Sequence, residues 1–120
     1  MLFEKKIKWY KVFESKAAAE QFVEEGCVNS IQVTTKKICI ARTKDGFFAV
    51  NDKCPHNGAS LSMGRCSEDG AVVCPVHRYR FDLKTGRSKS GLGSYVQTYP
   101  IDIREDGVYL GIEKLEWNIF

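Results

Sequence analysis

Apolar and polar positions alternate along this chain in short stretches, each cut off within a few residues by a turn signal. Ile7 to Phe13 (IKWYKVF) mixes aromatic and β-branched residues in the manner of a strand. Ser15 then offers an N-cap for a helix over Lys16 to Glu25, with Gly26 as its stop and Ala18, Ala19, Phe22 and Val23 on one face. Ser30 to Thr34 alternates through Ile31 and Val33, Lys37 to Arg42 alternates through Ile38 and Ile40, and Phe47 to Val50 follows an Asp45-Gly46 turn. Three short antiparallel strands are predicted there. Brief strands are expected at Ala71 to Cys74 and Tyr79 to Asp82, on either side of Pro75-Val76-His77-Arg78, with a turn at Lys84-Thr85-Gly86 after them. Val96 to Arg104 and Gly107 to Ile112 read as a hairpin across Glu105-Asp106-Gly107, with Ile101, Ile103, Val108, Leu110 and Ile112 inward. Many short strands between turns predict a mainly β fold, a small sandwich or barrel rather than a parallel α/β sheet.

Composition narrows this picture. At 120 residues, with no repeat, low-complexity tract or linker, one domain over residues 1–120 is expected. Hydrophobic content of 43% beside 28% charged residues disfavours general disorder. A net charge of +3 without a concentrated Lys/Arg face excludes nucleic acid as the expected partner. Charge arrives at Glu4, Lys5 and Lys6, before any apolar run long enough for a signal peptide or a membrane span, which reads as cytoplasmic with no membrane partner, and a monomer is expected. From Arg65 to Lys89 the basic side chains Arg65, Arg78, Arg80, Lys84, Arg87 and Lys89 outnumber Glu68, Asp69 and Asp82, either as a solvated rim or as a docking surface for an acidic partner.

Five cysteines cannot form a complete disulfide framework, and two of them lie beside the chain's two histidines. Cys54-Pro55-His56 and Cys74-Pro75-Val76-His77 are separated by 17 residues. A Cys and a His one or two residues apart in a tight loop can face one metal centre, and two such loops can close on it from opposite sides. Cys2His2 sets also bind zinc, so a zinc-binding interaction module is one reading. A common zinc finger puts both cysteines in one loop and both histidines on one helix, whereas here each loop supplies one of each. That interleaving suits two irons, one taking both thiolates and the other both imidazoles. Cys27, Cys39 and Cys66 have no histidine beside them and are expected to be small buried hydrophobes or free thiols. Trp9, Tyr10, Phe47, Phe48 and Trp117 are expected to pack rather than relay electrons. Pro55 and Pro75 can stiffen the loops while Gly58 and Gly64 permit close backbone approach to sulfide, or all four are ordinary turn residues.

On these loops, together with Gly58, Gly64, Phe81-Asp82-Leu83-Lys84-Thr85-Gly86 and Tyr99-Pro100-Ile101, the chain resembles the Rieske-type [2Fe-2S] ferredoxin family over about residues 28 to 113. The resemblance implies an antiparallel β fold of three small sheets with one short N-terminal helix here, and a two-loop cluster-binding subdomain at about residues 54–81. It implies one [2Fe-2S] cluster held by Cys54, His56, Cys74 and His77. It also implies a soluble carrier, not an enzyme, that takes single electrons from a flavin reductase to an oxygenase or similar terminal enzyme. A Rieske small subunit of a larger oxidoreductase, such as a nitrite reductase, is the alternative. An oxygenase would need two further histidines for a mononuclear iron, and none is spare. Membrane-complex members carry an extra cysteine in each loop, where this chain has Ala59 and Val76, and a serine where it has Tyr79. Fewer hydrogen-bond donors to the cluster predict a potential in the lower part of the Rieske range.

Overall fold

The computed structural model describes residues 3–89 and 93–117, the last two by backbone alone. Ten strands form three antiparallel sheets: β1 (Phe3–Phe13), β10 (Gly107–Trp117) and β9 (Ile101–Arg104) in the first; β2 (Val28–Val33), β3 (Lys36–Thr43), β4 (Gly46–Asn51) and β8 (Thr98–Tyr99) in the second; β5 (Arg65–Cys66), β6 (Ala71–Val73) and β7 (Arg80–Asp82) in the third. Among the described residues no helix is long and apolar enough to cross a membrane.

The second sheet is the middle layer. Along β3, Ile38, Cys39, Ile40 and Ala41 are all fully buried, because successive side chains point to opposite faces and both faces are covered. Ile38 and Ile40 pack with Ala49, Leu110, Ile112, Val23 and Val33 toward the first sheet. Cys39 and Ala41 pack with Val50, Leu61, Val72 and Phe81 toward the third. The middle sheet thus fastens the small third sheet to the long β1–β10 ribbon.

Several expectations are corrected. The helix, α1, spans only Lys16–Phe22: Ser15 caps it through Ala18 N–H at 3.0 Å, but Val23 turns to extended backbone and drops its side chain into the core. Asn29 Nδ2 donates to Phe22 O at 3.0 Å, closing that end of the helix, and Phe22 is left half-exposed against Phe13. Thr34 belongs to the β2–β3 turn, at φ 56°, rather than to a strand. The expected strand over residues 96–104 is two pieces in two sheets: β8 pairs with β4, Pro100 breaks the run, and β9 pairs with β10. Ile103 is accordingly exposed. Strand β5 is an addition to the expected strands, while Cys39 and Cys66 as buried residues and Cys27 as an exposed free thiol agree with expectation.

Candidate metal centre

Two loops of the same build project from this scaffold. Loop 1 runs Cys54–Ala59 between β4 and β5, and loop 2 runs Cys74–Tyr79 between β6 and β7. Each opens with a Cys-Pro pair, where the fixed φ of proline sets the first step of the turn. Each closes with a hydrogen bond from the cysteine amide to the carbonyl five residues on: Cys54 N to Ala59 O and Cys74 N to Tyr79 O, both 2.8 Å. Each takes left-handed backbone four residues after its cysteine, at Gly58 (φ 75°) and at Arg78 (φ 57°). Glycine adopts that conformation freely, while an arginine there costs about 1–2 kcal/mol.

The matched loops bring the expected ligands into two pairs. Cys54 and Cys74 lie side by side and are both fully buried, above Leu61, Val72 and Phe81. Burial pushes the Cys54 thiol up, the backbone N–H groups of His56 and Asn57 oppose this, and the Cys74 thiol beside it adds to the rise. His56 and His77 sit exposed at the tips, bracketing Tyr79: the His56 ring stacks on it at 4.2 Å, and the His77 ring meets it edge-on at 6.0 Å. The result is a sulfur pair inside and a nitrogen pair at the surface. Among the described residues no three His, Cys, Asp or Glu donors converge on a single-ion site.

Three supporting residues were not singled out from the sequence. Asn57 ties the loops together: its Nδ2 donates to Cys74 Sγ at 3.7 Å and its Oδ1 accepts from Ala59 N–H at 2.9 Å. The Asn57-Gly58 dipeptide was the available signal, since Asn before Gly marks a tight turn. Ser94 Oγ lies 2.9 Å from His56 Nε2, which joins the loop tip to a segment 38 residues away. Asp52, just before loop 1, accepts from Ser60 Oγ, from Ser62 N–H at 2.8 Å, and meets Lys37 Nζ at 3.3 Å.

Gly64 is required by packing. A Cβ on it would sit 1.9 Å from Val73 O, so this glycine permits close approach to the strand that leads into Cys74. No such contact holds Gly58, where a Cβ would meet only the flexible end of Lys53 at 3.3 Å. Ala59 is half-buried and Val76 exposed, and all five cysteines are free thiols.

Three small antiparallel sheets with two matched Cys/His loops at one end define a small antiparallel β protein that presents paired thiols and imidazoles on two loops. The family model for the Rieske [2Fe-2S] domain matches residues 8–100, and the chain belongs to that family, whose domain carries one [2Fe-2S] cluster. Among curated proteins it is 31% identical, over 67% of its own length and 77% of the other's, to the 3-phenylpropionate/cinnamic acid dioxygenase ferredoxin subunit of Photorhabdus laumondii. The subunit of the same name from Escherichia coli (strain K12) is 30% identical over 69% of this chain and 79% of the other. In a solved complex of reduced oxygenase and oxidized ferredoxin in carbazole 1,9a-dioxygenase, one chain superposes with a TM-score of 0.72 at 27% identity, covering 90% of this chain and 97% of that one. The ferredoxin of carbazole 1,9a-dioxygenase from Nocardioides aromaticivorans IC177 shares the fold with a TM-score of 0.72 at 21% identity, covering 86% and 96%.

Proposed function

We propose that this chain is a ferredoxin that carries single electrons from a flavin reductase to an oxygenase or similar terminal enzyme, as a cytoplasmic monomer. Its [2Fe-2S] cluster is assigned to Cys54 and Cys74 on one iron and His56 and His77 on the other. The observation that carries the reading is the separation of donors, with a buried thiol pair and an exposed imidazole pair supplied by two matched loops. The bound group supplies reversible one-electron redox chemistry at a potential raised by the neutral ligands. The chain's own residues supply the rest. The hydrophobic floor of Leu61, Val72 and Phe81 keeps water from the thiol side, and Asn57 and the N–H groups of His56 and Asn57 give hydrogen bonds to sulfur. The exposed histidine edge is the short route to a partner. The dioxygenase ferredoxin subunits among its relatives support an oxygenase as the acceptor. A reductive titration tests the reading: one reversible electron per chain is expected, with no substrate turnover by the protein alone, and a chain that takes up no electron would overturn it.

A further inference from the structure

The third sheet sorts its charges by end. Strand register places Arg65 opposite Val73, next to Cys74, whereas the Ser67–Gly70 turn lies at the other end of the same two strands. Glu68, Asp69 and Asp82 line the cleft at that far end, together with Lys44 and Lys84. There Asp69 holds Arg80 at 3.0 Å and Lys89 at 3.4 Å, so Arg80 turns away from the tip and is already neutralised. The cations at the tip meet no such partner among the described residues. Lys53 lies with Pro55 and Tyr95 beside loop 1, Arg65 and Arg78 lie with Met63 and Pro75 beside loop 2, and Arg87 lies with Ser94 and Tyr95 near His56. Among the described residues none of these four cations meets a carboxylate, and no Asp or Glu lines those three clefts.

Exposed apolar side chains lie among these cations. Met63 is 75% exposed, Tyr95 66% and Val76 47%, all beside the two histidine-bearing loops. Exposed apolar side chains beside charges suit a protein interface, and charges of one sign select a partner of the other. We propose that the loop-tip face docks on an acidic surface of its electron-transfer partner, with Met63, Val76 and Tyr95 giving apolar contact and carboxylates opposite Lys53, Arg65, Arg78 and Arg87. This deepens the ferredoxin reading and rests on it.

The test uses the cluster-loaded protein and two redox probes of opposite surface charge: flavodoxin, which is acidic, and cytochrome c, which is basic. Arg78→Glu/Arg87→Glu is compared with Lys44→Glu/Lys84→Glu, which changes net charge equally at the far cleft, and Arg78→Gln serves as a milder tip variant. Iron, sulfide and midpoint are recorded for every variant. At low ionic strength the tip reversal is expected to slow electron exchange with flavodoxin by about ten-fold, to speed exchange with cytochrome c, and to lose both effects at high salt, with the far-cleft reversal changing little. Arg78→Gln is expected to shift both rates in the same directions by less. Equal effects of tip and far-cleft reversal, or none at the tip, would overturn the docking proposal while leaving a working carrier. A wild-type protein with no reducible centre would overturn the ferredoxin reading itself, and this proposal with it.

Discussion

Asp52 is the one charged side chain found buried among the described residues, and it holds the approach to loop 1. Burial alone would raise its carboxyl, but hydrogen bonds from Ser60, Ser62 and Lys37 outweigh this and hold it below the usual carboxylate range. Replacing it with alanine leaves Ser62 N–H and the Ser60 hydroxyl without their acceptor. Asp52→Ala is therefore expected to destabilise the protein by about 1–3 kcal/mol in thermal or urea unfolding, and an unchanged midpoint would show that these contacts contribute nothing. Tyr79 works at the same scale. Its ring braces both imidazoles, and its side chain stands where the resemblance places a serine in high-potential relatives. The reduction midpoint is accordingly expected toward the low end of the Rieske range, about −150 mV, and Tyr79→Ser is expected to raise it. Voltammetry of the two proteins decides this, and a strongly positive wild-type value would contradict it.

At the scale of elements, the Cys/His spacing made the loops legible, because ligand chemistry restricts residue type and separation more tightly than packing does. Strands β3 and β4 were also legible in place, but β3 was read as one-faced from Ile38 and Ile40, and the burial of Cys39 and Ala41 depends on a third sheet that alternation within one strand cannot announce. The split at Pro100 was carried by the residue itself, which offers no N–H to a ladder, yet the run of β-formers around it concealed the change of sheet. The role of Gly64 was hidden for a similar reason: its neighbour Val73 is close only once β5 and β6 pair. Gly64→Ala drives a methyl into the Val73 carbonyl and is expected to cost more than about 1–3 kcal/mol, since backbone cannot give way as a flexible side chain would. Chemical denaturation checks it, with Gly58→Ala as a companion at a site of left-handed backbone where only the flexible Lys53 side chain must give way. A Gly64→Ala midpoint equal to wild type would mean the strands part at no cost.

Across the whole molecule, the β1–β10 ribbon and the middle sheet share one core, while the third sheet and its loops rest on the other. Removing the cluster by acid and chelator is therefore expected to cost hydrogen-exchange protection in Cys54–Ala59, β6 and Cys74–Tyr79, and to leave β1, β10 and β3 protected. Uniform loss of protection would instead tie the cluster to the entire fold. The central claim is that a thiol pair and an imidazole pair hold two irons unequally. Because the chain has only two histidines, 15N-histidine labelling marks His56 and His77 alone. Pulsed EPR of the reduced, labelled protein is expected to show two coordinated histidine nitrogens on a centre with two irons and two sulfides per chain. A colourless protein with one zinc per chain, or a cluster signal with no histidine nitrogen coupled to it, would contradict the account.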